Sequence, residues 1–136
     1  MKNDCNELPK VLVVDDREAN VLAIQRVLEG LDCHIVKAFS GEEALNQILK
    51  HDYAVILMDV QMPGMDGFEV AGLIRSHRES ASTPIIFVTA INKEDRYIQE
   101  GYAVGAVDYL FKPLDPAALI SKVDVFLSLY RQRFEF

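Results

Sequence analysis

Short apolar runs alternate in this sequence with stretches whose apolar residues return every three or four positions. Val11-Leu-Val-Val14 is β-branched and continuously apolar, as a strand buried on both faces should be. Val21, Ile24, Leu28 and Leu31 follow at helix spacing, with Gly30 as a stop. His34 to Phe39 reads as a second strand, and Ser40-Gly-Glu-Glu43 as a capping box opening a helix that contains Leu45, Ile48 and Leu49. Tyr53 to Met58 is the most strand-like run of all. The loop Met62-Pro-Gly-Met-Asp-Gly67 then leads to a helix capped by Asp66 and carrying Val70, Leu73, Ile74 and His77. Pro84 introduces the strand Ile85-Ile-Phe-Val88. Asn92 caps a weaker helix through Ile98 and Tyr102 to Gly105. Val107 to Phe111 is a fifth strand, and Asp115-Pro116 opens a last helix reaching at least Arg131.

Five strand–helix units in strict alternation imply an α/β protein, a parallel sheet with helices on both faces joined by right-handed crossovers. For five strands the expected arrangement is the three-layer, flavodoxin-like (βα)5 order 2-1-3-4-5. Residues 1–9 read as a polar lead-in and residues 10–131 as the folded domain. Residues 132–136 read as the end of the last helix, a connector if an output domain follows.

The 136 residues are enough for one domain, and with half of them hydrophobic no disulfide or metal staple is needed. Lys plus Arg is 14 against 21 for Asp plus Glu, a net charge of −7. That balance argues against direct nucleic-acid binding and against an anionic membrane surface. Two cysteines, Cys5 and Cys33, without a C-x-x-C pair fit a reducing cytosol. The polar start lacks a signal-peptide core, and Tyr53 to Met58 is too short to span a bilayer. A cytoplasmic protein is expected.

Ligands of open α/β sheets bind beyond the carboxyl ends of the strands. Asp15 and Asp16 follow strand one, Ser40 strand two, Asp59 strand three, Thr89 strand four, and Lys112-Pro113 strand five. In the expected order this joins three carboxylates, a hydroxyl and an ammonium. Two carboxylates about 4 Å apart repel by roughly 4 kcal/mol at an effective dielectric of 20, so protons or a divalent cation must relieve the crowding. All-oxygen ligands without His or Cys suit Mg²⁺, with Mn²⁺ as a substitute, and argue against zinc. A carboxylate left free is a nucleophile toward phosphorus, and Lys112 is placed to stabilise the charge that develops. Taken singly, each residue has a plainer use: Asp16 as a helix cap, Asp15 paired with a nearby lysine, Asp59 opening a turn, Lys112 solvated in a loop. Jointly they are far harder to explain away.

The segments Val11-Leu-Val-Val-Asp15-Asp16, Val55-Ile-Leu-Met-Asp59 through Gly67, Pro84-Ile-Ile-Phe-Val-Thr89-Ala90, and Gly105 through Tyr109 to Lys112-Pro113 resemble the response-regulator receiver domains of two-component signalling. The resemblance covers about residues 9–131. It implies that Asp59 accepts a phosphoryl group from a histidine kinase or His-phosphotransfer protein. It implies that Asp15, Asp16, Asp59 and the backbone carbonyl of Gln61 hold Mg²⁺, and that Lys112, with a cis bond to Pro113, contacts the phosphoryl oxygens. Thr89 and Tyr109 become a switch pair that repacks the surface of the fourth helix, fifth strand and fifth helix. That surface, or the last helix, is then a candidate homodimer face. Ile91, two residues after the threonine, cannot orient a water by hydrogen bonding, so slow self-dephosphorylation is expected.

His34, His51 and His77 show no metal-ligand spacing, and Met58, Met62 and Met65 read as packing. In the last helix Ile120, Val123, Leu127, Tyr130 and Phe134 form an a/d-like seam, with Leu119, Val125, Phe126 and Leu129 on other faces. Two other functions compete with the switch. A phosphohydrolase would usually show Asp-x-Asp, which Asp59-Val60-Gln61 lacks. An unphosphorylated adaptor would not need the acid set and Lys112.

Overall fold

The computed structural model describes residues 8–90 and 108–133. It contains β1 (Lys10–Val14), α1 (Glu18–Leu28), β2 (His34–Ala38), α2 (Gly41–Lys50), β3 (Val55–Asp59), α3 (Gly67–Ser76), β4 (Ile85–Thr89), β5 (Asp108–Phe111) and a C-terminal helix (Pro116–Gln132). The five strands are parallel in the order β2-β1-β3-β4-β5, the flavodoxin-like arrangement expected. The expected helix from Asn92 to Gly105 lies outside the described residues, as do Cys5, Ile91 and Phe134.

Strand residues point alternately to the two faces, and each face builds its own core. Leu12, Val14, Ile56, Met58, Ile85 and Phe87 meet α2 and α3 through Ala44, Ile48, Val70 and Ile74. Val11, Val13, Val55, Leu57, Ile86 and Val88 meet α1 and the C-terminal helix through Val21, Ile24, Leu28, Leu119, Val123 and Leu127. Burial on both faces is why these strands are apolar without alternation. Each fully buried Leu, Ile or Val contributes about 1.5–3 kcal/mol, so the two layers hold the strand ends rigidly in register.

Local rules explain most helix starts. Asp66 accepts from Glu69 N–H while the Glu69 carboxylate takes Asp66 N–H, a complete capping box. Asp115 accepts from Ala117 N–H with Pro116 in the first turn. The Ser40 box is shifted: Ser40 Oγ accepts from Glu43 N–H, but the Glu43 carboxylate takes Phe39 N–H. β2 ends at Ala38 rather than Phe39, and the carboxylate satisfies the donor that the strand leaves. α1 ends at Leu28 and is followed by Glu29 in right-handed helical geometry, so neither Leu31 nor a left-handed Gly30 closes it. His77 is the C-cap of α3 and not part of it.

The C-terminal helix buries Leu119, Val123, Leu127 and Tyr130, whereas Ile120 is exposed. The buried seam therefore runs through Leu119, one position from the expected start. Arg131 ties the helix end to the Asp32 carbonyl at 2.7 Å. Among the described residues no helix is long and apolar enough to cross a membrane.

Candidate functional site

The register sets the site. Val14 pairs with Met58, so the next residues, Asp15 and Asp59, stand side by side. Asp59 itself pairs with Val88, and Thr89 pairs with Phe111, which brings Lys112 beside Thr89. Lys112 N–H donates to the Thr89 carbonyl at 2.9 Å, and the Lys112–Pro113 peptide is cis, as expected. Asp15, Asp59 and Thr89 are buried, while Asp16 is exposed at the rim.

Asp15, Asp16 and Asp59 each offer an oxygen within 4.8 Å of the others. Lys112 Nζ stands 3.3 Å from Asp15 Oδ2 and 3.6 Å from Asp59 Oδ1, so one ammonium is shared by two buried carboxylates. That sharing is incomplete compensation. Burial first, then Asp15 and Asp16, push the Asp59 carboxyl from 3.8 up to about 6, against the lowering effects of Lys112 and of the Gln61 backbone N–H. A cation placed among these oxygens relieves the repulsion directly. The set has no nitrogen or sulfur ligand, which fits a hard, oxygen-preferring ion such as Mg²⁺.

Asp15 has two further partners. Its Oδ1 accepts from Arg17 N–H at 2.9 Å, and its Oδ2 accepts from Asn20 Nδ2 at 3.1 Å. The first bond moves the start of α1: Arg17, not Asp16, is its N-cap, without a side-chain cap. Asp16 is thereby left for the cluster. Asn20 is a contact that periodicity does not single out, because a polar residue in a first helical turn ordinarily reads as solvated. Its only signal is that it lies five residues after Asp15, within one helical turn of the strand tip.

The loop after Asp59 is held closely. Gly67 N–H donates to the Val60 carbonyl at 2.8 Å. A Cβ on Gly67 would lie 2.3 Å from the Asp59 carbonyl oxygen, so no side chain fits there. Gly64 takes φ +78°, the left-handed conformation that glycine tolerates. Met58 and Met62 are buried and Met65 packs against the same core. Tyr109 is buried, with its ring 5.7 Å from Phe87 and stacked at 5.9 Å on Phe111.

The histidines lie elsewhere. His51 and His77 line a separate cavity of about 120 Å³ at the opposite end of the sheet, and His34 is exposed. Among the described residues, Asp15, Asp16 and Asp59 alone converge as a metal-ligand group of three.

A doubly wound parallel sheet with an acidic pocket and a lysine at its carboxyl edge is the arrangement of the class of α/β proteins that bind a cation or phosphate beyond the strand ends. The chain belongs to the response regulator receiver domain family, whose model matches residues 11–124. It is 36% identical over 118 residues to the transcriptional regulatory protein SrrA of Staphylococcus aureus, covering 87% of this chain and 47% of SrrA. The chain thus spans about half the length of the curated relatives it matches. Among solved structures it is similar to the chemotaxis response regulator CheY4 of Vibrio cholerae, with a TM-score of 0.81 and 34% identity, covering 88% of this chain and 98% of that one. It is also similar to the BeF3-activated receiver domain of DrrB from Thermotoga maritima, with a TM-score of 0.79 and 29% identity, covering 89% and 98%. Receiver domains are signalling switches rather than enzymes acting on outside substrates, and their acidic pocket binds Mg²⁺.

Proposed function

We propose that this chain is a phosphorylation-dependent switch whose acceptor is Asp59, charged by a histidine kinase or His-phosphotransfer protein. The observation that carries this reading is the convergence of three acids and one shared ammonium at adjoining strand ends. Asp15, Asp16, Asp59 and the Gln61 backbone carbonyl would hold Mg²⁺, or Mn²⁺ in its place. That ion would neutralise the crowded acids and the charge on the phosphoryl oxygens.

The rest falls to the chain itself. A carboxylate oxygen of Asp59 attacks phosphorus as the P–N bond to the donor imidazole breaks, giving an acyl phosphate and a free imidazole that takes up a proton. Lys112 moves its ammonium onto the incoming oxygens, where negative charge spreads in the transition state. Thr89 turns its hydroxyl to the phosphoryl group. Tyr109 fills the space behind Thr89, and its burial against Phe87 supports that role. The ring lies inside here, and phosphorylation would stabilise that arrangement and with it the surface formed by β5 and the C-terminal helix. Val125 and Leu129 stay exposed on that helix, which supports a homodimer face there. The chain catalyses only its own phosphorylation and dephosphorylation. Its net charge of −7 supports no direct contact with nucleic acid by this chain, and its two cysteines without a C-x-x-C pair fit a cytoplasmic setting.

Acetyl phosphate or beryllofluoride with Mg²⁺ tests the reading, followed by NMR and, for acetyl phosphate, intact mass. The expected result is a Mg²⁺-dependent response that Asp59→Asn abolishes. A response that persists in this variant refutes the acceptor assignment.

A further inference from the structure

Asp15 must face the cluster with one lone pair while its neighbours hold it still. A carboxylate offers about four acceptor sites. Arg17 N–H occupies one on Oδ1, and Asn20 Nδ2 and Lys112 Nζ occupy two on Oδ2. Of these three donors, Arg17 N–H is fixed backbone, Lys112 is a long side chain shared with Asp59, and Asn20 is a short amide on α1. On the proposed reading, Lys112 leaves Oδ2 when it moves to the phosphoryl oxygens. The Asn20 amide is then the donor that still fixes Oδ2.

The residue type matters as much as the bond. A cation at position 20 would compete with a metal for the Asp15 charge, and an acid would add to a repulsion that already raises Asp59. A neutral amide orients the carboxylate without neutralising it. Its place is also costly for α1, since Asn is a weak helix former away from the cap, and position 20 is the third residue of the helix.

We infer that Asn20 is a positioning residue that holds Asp15 in the orientation needed for cation uptake, an inference that rests on the proposed function. Partners that orient a metal's ligands typically carry 10–100-fold in affinity or activity. With Arg17 N–H also holding Asp15, the expected effect lies at the lower end.

The test compares the full-length chain with Asn20→Ala and Asn20→Leu. The second variant keeps the bulk of the side chain without the amide and favours the helix, so it separates the hydrogen bond from packing. Mg²⁺ binding is measured by calorimetry, and phosphorylation by acetyl phosphate is followed against Mg²⁺ concentration. In both variants Kd and half-saturating Mg²⁺ should rise about tenfold, while the rate at saturating Mg²⁺ stays within about twofold. Unchanged Mg²⁺ affinity in Asn20→Leu overturns the inference. So does a loss confined to thermal stability or to the saturated rate. If the unaltered chain itself takes up no Mg²⁺, it is the proposed function that fails, and that result is read before either variant is made.

Discussion

The two ends of the sheet bury polar groups in opposite ways. At the amino end, Tyr53 Oη donates to the Gln47 carbonyl at 3.0 Å and Ser80 Oγ to the Ile74 carbonyl at 2.7 Å. Each partner lies six residues away and carries no charge, so burial there is settled within one segment. At the carboxyl end Asp15 and Asp59 lie side by side from different strands, and their shared cation comes from a residue 97 positions beyond Asp15. Satisfied local polarity stabilises a fold. Repulsion held in place by the whole fold stores a capacity to bind, which is why the chemistry belongs to the second end.

The sharpest way to break this contrast is Asp59→Asn, which should eliminate phosphorylation by acetyl phosphate entirely, as read by intact mass. Next is Lys112→Met. It removes the shared ammonium, so the phosphorylation rate at saturating Mg²⁺ should fall about 100-fold or more. Without metal, the midpoint of the Asp59 carboxyl, followed by ¹³C NMR, should rise above about 6 because the cation that lowers it is gone.

A third measurement puts the stored repulsion on a stability scale. Asp59 holds its proton up to about 6 in the folded chain, against 3.8 for the ordinary carboxyl. Well below 3.8, at about pH 3, both folded and unfolded chains are protonated there, and the group costs almost nothing. Between about 4 and 6 the unfolded chain has released the proton and the folded chain has not, so stability falls as pH rises. Above about 6 the cost is complete. In urea unfolding without metal, Asp59→Asn should therefore be about 2 kcal/mol more stable than the unaltered chain at pH 7.5, and the gap should close toward about pH 3. A constant gap across that range would sink the account.

The smallest effect belongs to the other end. Ser80→Ala removes one local hydrogen bond and should cost about 1 kcal/mol of stability, leaving the phosphorylation rate unchanged.

The contrast also explains what could be read in advance. Strand tips are visible in a sequence because a parallel sheet sends the residue after every apolar run to the same end, so Asp15, Asp59, Thr89 and Lys112 could be grouped before any coordinates. The Asp66 capping box was equally plain, since its partners are three residues apart. Asn20 was not, because its bond depends on how α1 leaves the β1 tip, and the Arg17 N–H bond to Asp15 decides that. Nor was the buried face of the C-terminal helix. With apolar residues nearly all round, only packing against the sheet selects Leu119 over Ile120.

Gly67 has a reach beyond its own position. The first residue of α3 lies so close to the backbone of Asp59 and Val60 that there is no room for a Cβ, and its N–H is bonded to the Val60 carbonyl, so the helix start and the Asp59 strand end are packed directly together. A single methyl at Gly67 would push against the Asp59 backbone while leaving every acid, the lysine and the hydroxyl in the sequence. A change at Gly67 would thus disturb the pocket through a residue that carries no chemistry of its own.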